Sequence, residues 1–381
     1  MSEYIQRERL ATTFTSLCEI SSPSRREGNI AKHLKNVFAE LGADLILEDN
    51  SSKETGSECG NLIIRFNSNH DDLEGVFFAC HMDTVEPGDD VQVDRTGDIF
   101  TSRGDTILGS DDKSGIAAII EMLTLIKEQQ IKHGLIEIIL TTCEEVGLLG
   151  AKNLDYKQLH TTYGYALDSS SIDTVIYGAP AANKFSIEIT GAAAHAGLNP
   201  EKGISAIQVA AKAINETKLG RLDEESTANL GIIHGGVATN IVPEQVIIKG
   251  EVRSHSAEKL SIYTTEIENV FKKTVEEWCN PSPENTIRPQ LNITTKAEYP
   301  ALRLSLDSAV IERVRKAGEK TGKNLQFLTA GGGSDANIFN GYGLPTAIVA
   351  TGMQNVHTTD EQLDLNHLVS LTELIYVIAI G

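Results

Sequence analysis

Short apolar runs alternate with amphipathic stretches through the first half of the chain. Residues 3–17 and 26–41 repeat apolar side chains at helical spacing, and GIAAIIEMLTLI (115–126) has the apolar density of a helix packed on a sheet. NLIIRF (61–66), GVFFAC (75–80) and LIEIILTT (135–142) are short and rich in β-branched or aromatic residues, and they predict buried strands. Strands separated by helices in this way predict an α/β sheet with helices on both faces. The pattern changes near Pro180. KFSIEITGAAAHAG (184–197) alternates apolar and polar residues, as a half-exposed antiparallel strand does. A helix over 204–216, strands over 230–236 and 245–255, and a long helix over 257–278 follow, which together predict a compact α+β unit. After residue 295 the α/β character returns, with helices over 308–320 and 367–380 around the strand PTAIVAT (345–351). The expected organisation is a discontinuous α/β domain, residues 1–179 and 296–381, with an inserted α+β domain over 180–295.

Several of the apolar runs stop at acids or histidines. FFACHMDTV (77–85) ends in His81 and Asp83, which point the same way if the strand continues to them. GSDDKSG (109–115) precedes a helix, and TTCEEVG (141–147), YALDSSS (165–171) and NVHTTDE (355–361) each follow an apolar run. Ligands of open α/β sheets bind at the carboxyl ends of strands. The pattern therefore delivers His81, Asp83, Asp111, Asp112, Glu144, Glu145, Asp168 and His357 to one crevice. Taken singly, each has an ordinary reading. Asp111 and Asp112 could cap a helix, Glu144 and Glu145 could face solvent, Asp168 could sit in a turn and His357 on the surface. Together they are too many like charges to share a crevice without cations. Two imidazoles and several carboxylates, with no thiolate needed, suit a pair of zinc ions, with cobalt or manganese as alternatives.

Composition narrows the partners. The formal charge is −20, from 33 Lys and Arg against 53 Asp and Glu, which argues against a nucleic-acid partner. No stretch approaches the ~20 apolar residues of a membrane span. The N-terminal residues lack the basic and apolar regions of a signal peptide. Five cysteines without a C-x-x-C pair indicate neither a disulfide framework nor a thiolate zinc site. A cytoplasmic protein is expected.

HMDTV, GSDDKSG, the paired acids of TTCEEVG, YALD, AHAG and VHTTDE occur in an order that resembles the di-zinc exopeptidase family. That family includes peptidase T, glutamate carboxypeptidase and the aminoacylases, and the likeness is nearest to the peptidase T, or tripeptide aminopeptidase, branch. The resemblance implies a three-layer α/β catalytic domain with an inserted α+β lid or dimerisation domain, and it admits a homodimer formed through that lid. It implies that His81 and Asp168 hold one zinc, Glu145 and His357 the other, and that Asp111 bridges them. Asp83 would orient the His81 ring, and Glu144 would be the general base. His195 of AHAG would donate to the oxyanion, in its own subunit or a partner's, and Arg253 of GEVRSHS would grip a substrate carboxylate. Asn240 of ATNIVPE is a further candidate for substrate contact, as are Gly332 and Asp335 of TAGGGSDAN. The branch carries an arginine where Gly331 stands here.

The expected activity is removal of the N-terminal residue of short peptides, most of all tripeptides. A dipeptidase or an N-acyl amino acid amidohydrolase of the same family is the alternative. A serine hydrolase built on Ser334 is disfavoured, because Ala336 stands where a G-x-S-x-G elbow needs its second glycine. A non-catalytic scaffold is disfavoured because the candidate base and every candidate ligand are retained.

Overall fold

The computed structural model describes residues 4–381 except Asp71, Pro281, Pro283 and Glu284. The chain forms two compact units, one of Met1–Gly178 with Leu302–Gly381 and the other of Ala179–Ala301.

The first unit is built on a nine-stranded sheet of β1 (Leu45–Glu48), β2 (Leu62–Phe66), β3 (Val76–His81), β6 (Ile136–Thr141), β7 (Gly164–Ala166), β8 (Thr174–Ala179), β14 (Leu302–Arg303), β15 (Gln326–Thr329) and β16 (Thr346–Val349). Its order is β1-β2-β6-β3-β7-β16-β8-β14, with β15 on β8. The four central strands, β6-β3-β7-β16, are mutually parallel. Every residue of β3, β6, β7 and β16 is buried, which is why they read as unbroken apolar runs rather than alternating ones. The helix Ser110–Glu128 packs on β3 and against the helices Arg7–Cys18 and Leu365–Ile380. Gly115 allows this close approach, since a Cβ there would lie 2.6 Å from Cys80 Sγ. A small three-stranded sheet of β4 (Val93–Thr96), β5 (Ile99–Ser102) and β17 (Gln362–Asp364) is also present.

The second unit is a five-stranded antiparallel sheet in the order β10-β11-β12-β9-β13. Its strands are β9 (Ala181–Thr190), β10 (Gly220–Arg221), β11 (Ser226–Gly235), β12 (Gln245–Ser254) and β13 (Gln290–Tyr299). The helices Ala206–Glu216 and Ala257–Glu276 pack on it. Their N-termini are capped by the Ser205 and Ser256 hydroxyls, which accept from Gln208 N and Lys259 N. Phe185, Ile187 and Ile189 of β9 meet Val246, Ile248 and Val252 of β12 and helix residues such as Val209 and Phe271 in one core. No helix among the described residues is long and apolar enough to cross a membrane.

Three details differ from the pattern reading. The first helix runs Arg7–Cys18, and residue 3 of its expected span lies outside the described residues. β9 stops at Thr190, and GAAAHAG forms a loop instead of continuing the strand. Gly191 makes the break: its N–H donates to Glu244 O at 2.7 Å, and a Cβ would lie 2.1 Å from Ile204 O. The second unit continues to Ala301 rather than residue 295, because β13 pairs with β9 as far as Tyr299.

Ile187 is fully buried in the second unit's core. Ile187→Ala is expected to cost about 2–5 kcal/mol, measured as a lower denaturation midpoint; an unchanged midpoint would show that this core does not carry the unit's stability.

Candidate active site

The four parallel strands point one way, and each is followed by a candidate ligand. His81 ends β3, Glu145 lies four residues beyond β6, Asp168 lies two beyond β7, and His357 lies in the loop after β16. Phe77 pairs with Gly164 and Ala79 with Ala166, and this register carried on brings Asp168 level with His81. Asp111 sits at the start of the helix Ser110–Glu128, in non-helical conformation.

Asp111 stands between the two histidines. Its Oδ1 lies 3.0 Å from His81 Nε2 and its Oδ2 lies 3.2 Å from His357 Nε2. Glu145 Oε1 lies 3.0 Å from His357 Nε2, yet it is buried without a hydrogen-bond partner. Ligand atoms of His81, Asp111 and Glu145 fall within 4.8 Å of one another. Two atoms so close whose lone pairs do not address each other are arranged as ligands of one cation are. Asp168 lines a small cavity with His81, Asp112 and Asp335.

The electrostatics describe a site short of positive charge. Burial pushes the Asp168 carboxyl up to about 7, with Asp111 adding repulsion. Burial likewise raises Glu144 well above the usual range, with Asp168, Asp335 and Glu145 contributing. Asp111 is buried too, but the adjacent His357 and His81 hold it below the usual carboxylate range. Asp111 and Glu145 in turn push His357 up to about 10. Divalent cations would supply the charge these groups otherwise take from protons, and the nitrogen and oxygen donor set fits them.

Asp83 meets the His81 ring mainly through its main chain, where the sequence led one to expect its carboxylate. Its main-chain oxygen, not its carboxylate, lies 2.8 Å from His81 Nδ1, and the carboxylate is 3.7 Å away. The carboxylate instead accepts from Glu144 N at 2.9 Å, Glu145 N at 3.2 Å and Ser24 Oγ at 2.6 Å. Asp83 therefore fixes the main chain that presents the candidate base and the adjacent ligand.

Other groups brace the same turn and carry no signal in the apolar pattern. Buried Glu27 accepts from Cys143 N at 3.0 Å, and Asn61 Oδ1 accepts from Thr142 N at 3.1 Å. Buried Glu361 accepts main-chain N–H groups just before Asp111. Its signal was present, as an acid four residues after His357 in NVHTTDE. Asp335 opens the short helix Asp335–Gly341 after the glycine turn that contains Gly331 and Gly332. Its Oδ2 accepts from Thr141 Oγ1 at 2.5 Å, and its Oδ1 is buried without a partner. The neighbouring Ser334 caps that helix, its side chain accepting from the main chain of Asn337, a structural role rather than that of a nucleophile.

The remaining candidates belong to the second unit. His195 is exposed in the loop after β9; its Nδ1 accepts from Gly197 N at 3.2 Å. Asn240 is exposed, and its main-chain oxygen accepts from Ala196 N at 2.9 Å, which joins the two loops. Arg253 lies on β12 and engages Glu251 two residues away, with Nε–Oε1 at 2.8 Å and Nη2–Oε2 at 3.2 Å.

Residues 77–380 match the family described as Peptidase family M20/M25/M40. The chain is 38% identical over 375 residues to the uncharacterized protein YqjE of Bacillus subtilis, covering 98% of each. It is similar to the crystal structure of aminopeptidase PepT from Bacillus cereus, with 38% identity, TM-score 0.89, and 99% of this chain and 98% of that one covered. It is also similar to the structure of a tripeptidase from Staphylococcus aureus, with 37% identity, TM-score 0.92 and 98% of both chains covered.

Asp83→Ala is expected to weaken divalent-metal binding about 10–100-fold, read by competition with a chromogenic chelator. Unaltered affinity would mean that the 144–145 turn keeps its place without the carboxylate.

Proposed function

The chain belongs to peptidase family M20/M25/M40, and on that premise we propose that it binds two divalent cations and cleaves the first peptide bond of tripeptides. It is a metallo-aminopeptidase of short peptides, in keeping with the PepT and tripeptidase structures it matches over nearly its whole length. The observation that carries the reading is Asp111 set between His81 and His357, one carboxylate oxygen toward each.

In this reading His81 and Asp168 would hold one cation, Glu145 and His357 the other, and Asp111 would serve both. Zinc suits the donors; cobalt or manganese would also be accepted. Bound there, the cations would polarise the scissile carbonyl and acidify the attacking water. Glu144 takes the proton from that water on its carboxylate and returns it to the leaving nitrogen. His195 supplies a donor for the oxyanion. Because its Nδ1 accepts from Gly197 N, the neutral ring carries its proton on Nε2. Asp335 Oδ1 and the main chain at Gly332 line the substrate side.

Arg253 grips the substrate's free carboxylate, sharing its fork with Glu251. An anchor for the free carboxylate would measure peptide length, since each extended residue adds ~3.3–3.6 Å. The second unit then acts as a lid. It is also proposed to join two copies of the chain. Past its two residues paired with β10, β11 pairs on one side only, and Ile232, Ile233 and Val237 are 46%, 54% and 87% exposed. Such an apolar strand edge invites another strand. The described cysteines are all free and no helix among the described residues could cross a membrane, which supports a cytoplasmic location.

Glu144→Ala should keep its metal and lose kcat by about 10²–10⁴-fold; a variant with wild-type turnover would remove Glu144 as the base. Amidation of a tripeptide's C-terminus should lower kcat/KM roughly 10- to 100-fold, the worth of a charged hydrogen bond. Equal values for acid and amide would remove Arg253 and the length gauge together. Ile233→Lys should turn a dimer into a monomer by light scattering, and a persistent dimer would place the interface elsewhere.

A further inference from the structure

We propose that Glu361 is a positioning residue that locks the Asp111 and His357 loops together and so sets the geometry of the metal site they share. The proposal rests on the two-cation reading and assigns a role that none of the ligands can fill. Glu361 is 1% exposed and lies far from the chain segment it holds. Its Oε2 accepts from Leu108 N and Gly109 N, both at 2.8 Å. Its Oε1 accepts from Ser110 N at 2.7 Å, Ser110 Oγ at 2.5 Å and Asp111 N at 3.2 Å. Four consecutive main-chain N–H groups thus converge on one carboxylate, as in an anion-binding nest whose anion is part of the protein. Gly109 permits the curl with a φ of +77°.

The carboxylate's own loop is as firmly built. Gln354 and Gln362 exchange N–H···O hydrogen bonds at 3.0 Å across its neck. Within it, Thr358 Oγ1 donates to Asn355 O at 2.7 Å and Asn355 Nδ2 donates to Asp360 O at 3.2 Å. His357 adopts a left-handed φ of +64° in this loop, a conformation that a side-chain-bearing residue keeps only when its surroundings impose it. His357 and Glu361 are therefore fixed relative to each other.

Asp111 is consequently met twice by one short segment. Glu361 takes its N–H, and His357 Nε2 stands 3.2 Å from its Oδ2. Two attachments fix both where the carboxylate sits and how far it is from the imidazole. Lys113, buried one turn further along, donates to Ile20 O at 2.8 Å and brings positive charge to the same side of the loop. His81 ends β3 and Asp168 follows β7, so their site meets Glu361 only through the shared Asp111, whereas the other site meets it through both Asp111 and His357. Loss of the Glu361 contacts should thus fall most heavily on the site shared by Asp111, Glu145 and His357.

Glu361→Gln tests this with the full chain stripped by a chelator and titrated with Co²⁺, followed by calorimetry and by visible absorption. The glutamine keeps the shape but turns an NH₂ toward at least one of the N–H donors. The wild type should bind two equivalents. The variant should bind one of them about 10–100-fold more weakly and the other with a clearly smaller loss. Ser110→Ala, which removes only the hydroxyl donor, should shift the weakened equivalent in the same direction by less. Two equivalents bound by both variants with wild-type affinity would overturn the proposal. So would an equal loss of both equivalents alongside a lowered thermal midpoint, which would make Glu361 a general structural support. A wild type that binds fewer than two equivalents would instead sink the two-cation reading itself.

Discussion

Buried negative charge is the constraint on which the rest of this structure depends. Two unit charges of like sign 4 Å apart repel by about 4 kcal/mol at an effective dielectric of 20, and the strand ends gather many more than two. The fold answers in two ways. Outer carboxylates are neutralised by peptide N–H groups: Asp83 by residues 144 and 145, Glu27 by Arg25 and Cys143, and Glu361 by residues 108–111. Inner ones are not. Glu145 Oε1, Asp112 Oδ1 and Asp335 Oδ1 are buried without hydrogen-bond partners, and Asp168 is pushed up to about 7. Of these inner acids, Glu145 and Asp168 are the ones proposed to meet cations.

The sheet makes this gathering feasible. Parallel strands buried on both faces have rigid ends, and the order β6-β3-β7-β16 sets their four ligand-bearing termini side by side. The main-chain clamps then aim what lies beyond the strands. The proposed base and ligand, Glu144 and Glu145, are adjacent in sequence, and Asp83 holds both of their N–H groups. The antiparallel second unit has its own core and its own sheet, so the residues proposed to meet the substrate's far end sit on a compact body of their own.

Much of this was legible in the sequence because burial on both faces leaves unbroken apolar runs, and their abrupt polar ends mark the strand termini. VFFACH, IEIILT and TAIV could be read in this way, and so could the change of pattern near Pro180. What was not legible depends on main-chain partners, which periodicity does not encode. Asp83 lies past the end of β3, where alternation no longer fixes direction, and its carboxylate turned to the 144–145 amides instead of the His81 ring. Glu361 binds amides about 250 residues away in sequence. β13 looked polar because most of its residues are exposed or half-buried, so the second unit's end was placed too early. Arg253 and Glu251 lie two apart on β12, on one face, and their pairing follows from that spacing.

The central claim is that the inner acids and the two histidines are the ligands of two cations bridged by Asp111. Crystals grown with zinc, and diffraction recorded on both sides of the zinc absorption edge, test it most directly. The account predicts two anomalous peaks about 3.5–4 Å apart, one beside His81 and Asp168 and one beside His357 and Glu145, with Asp111 between them. A single peak, or peaks that leave Asp111 uncoordinated, would contradict it.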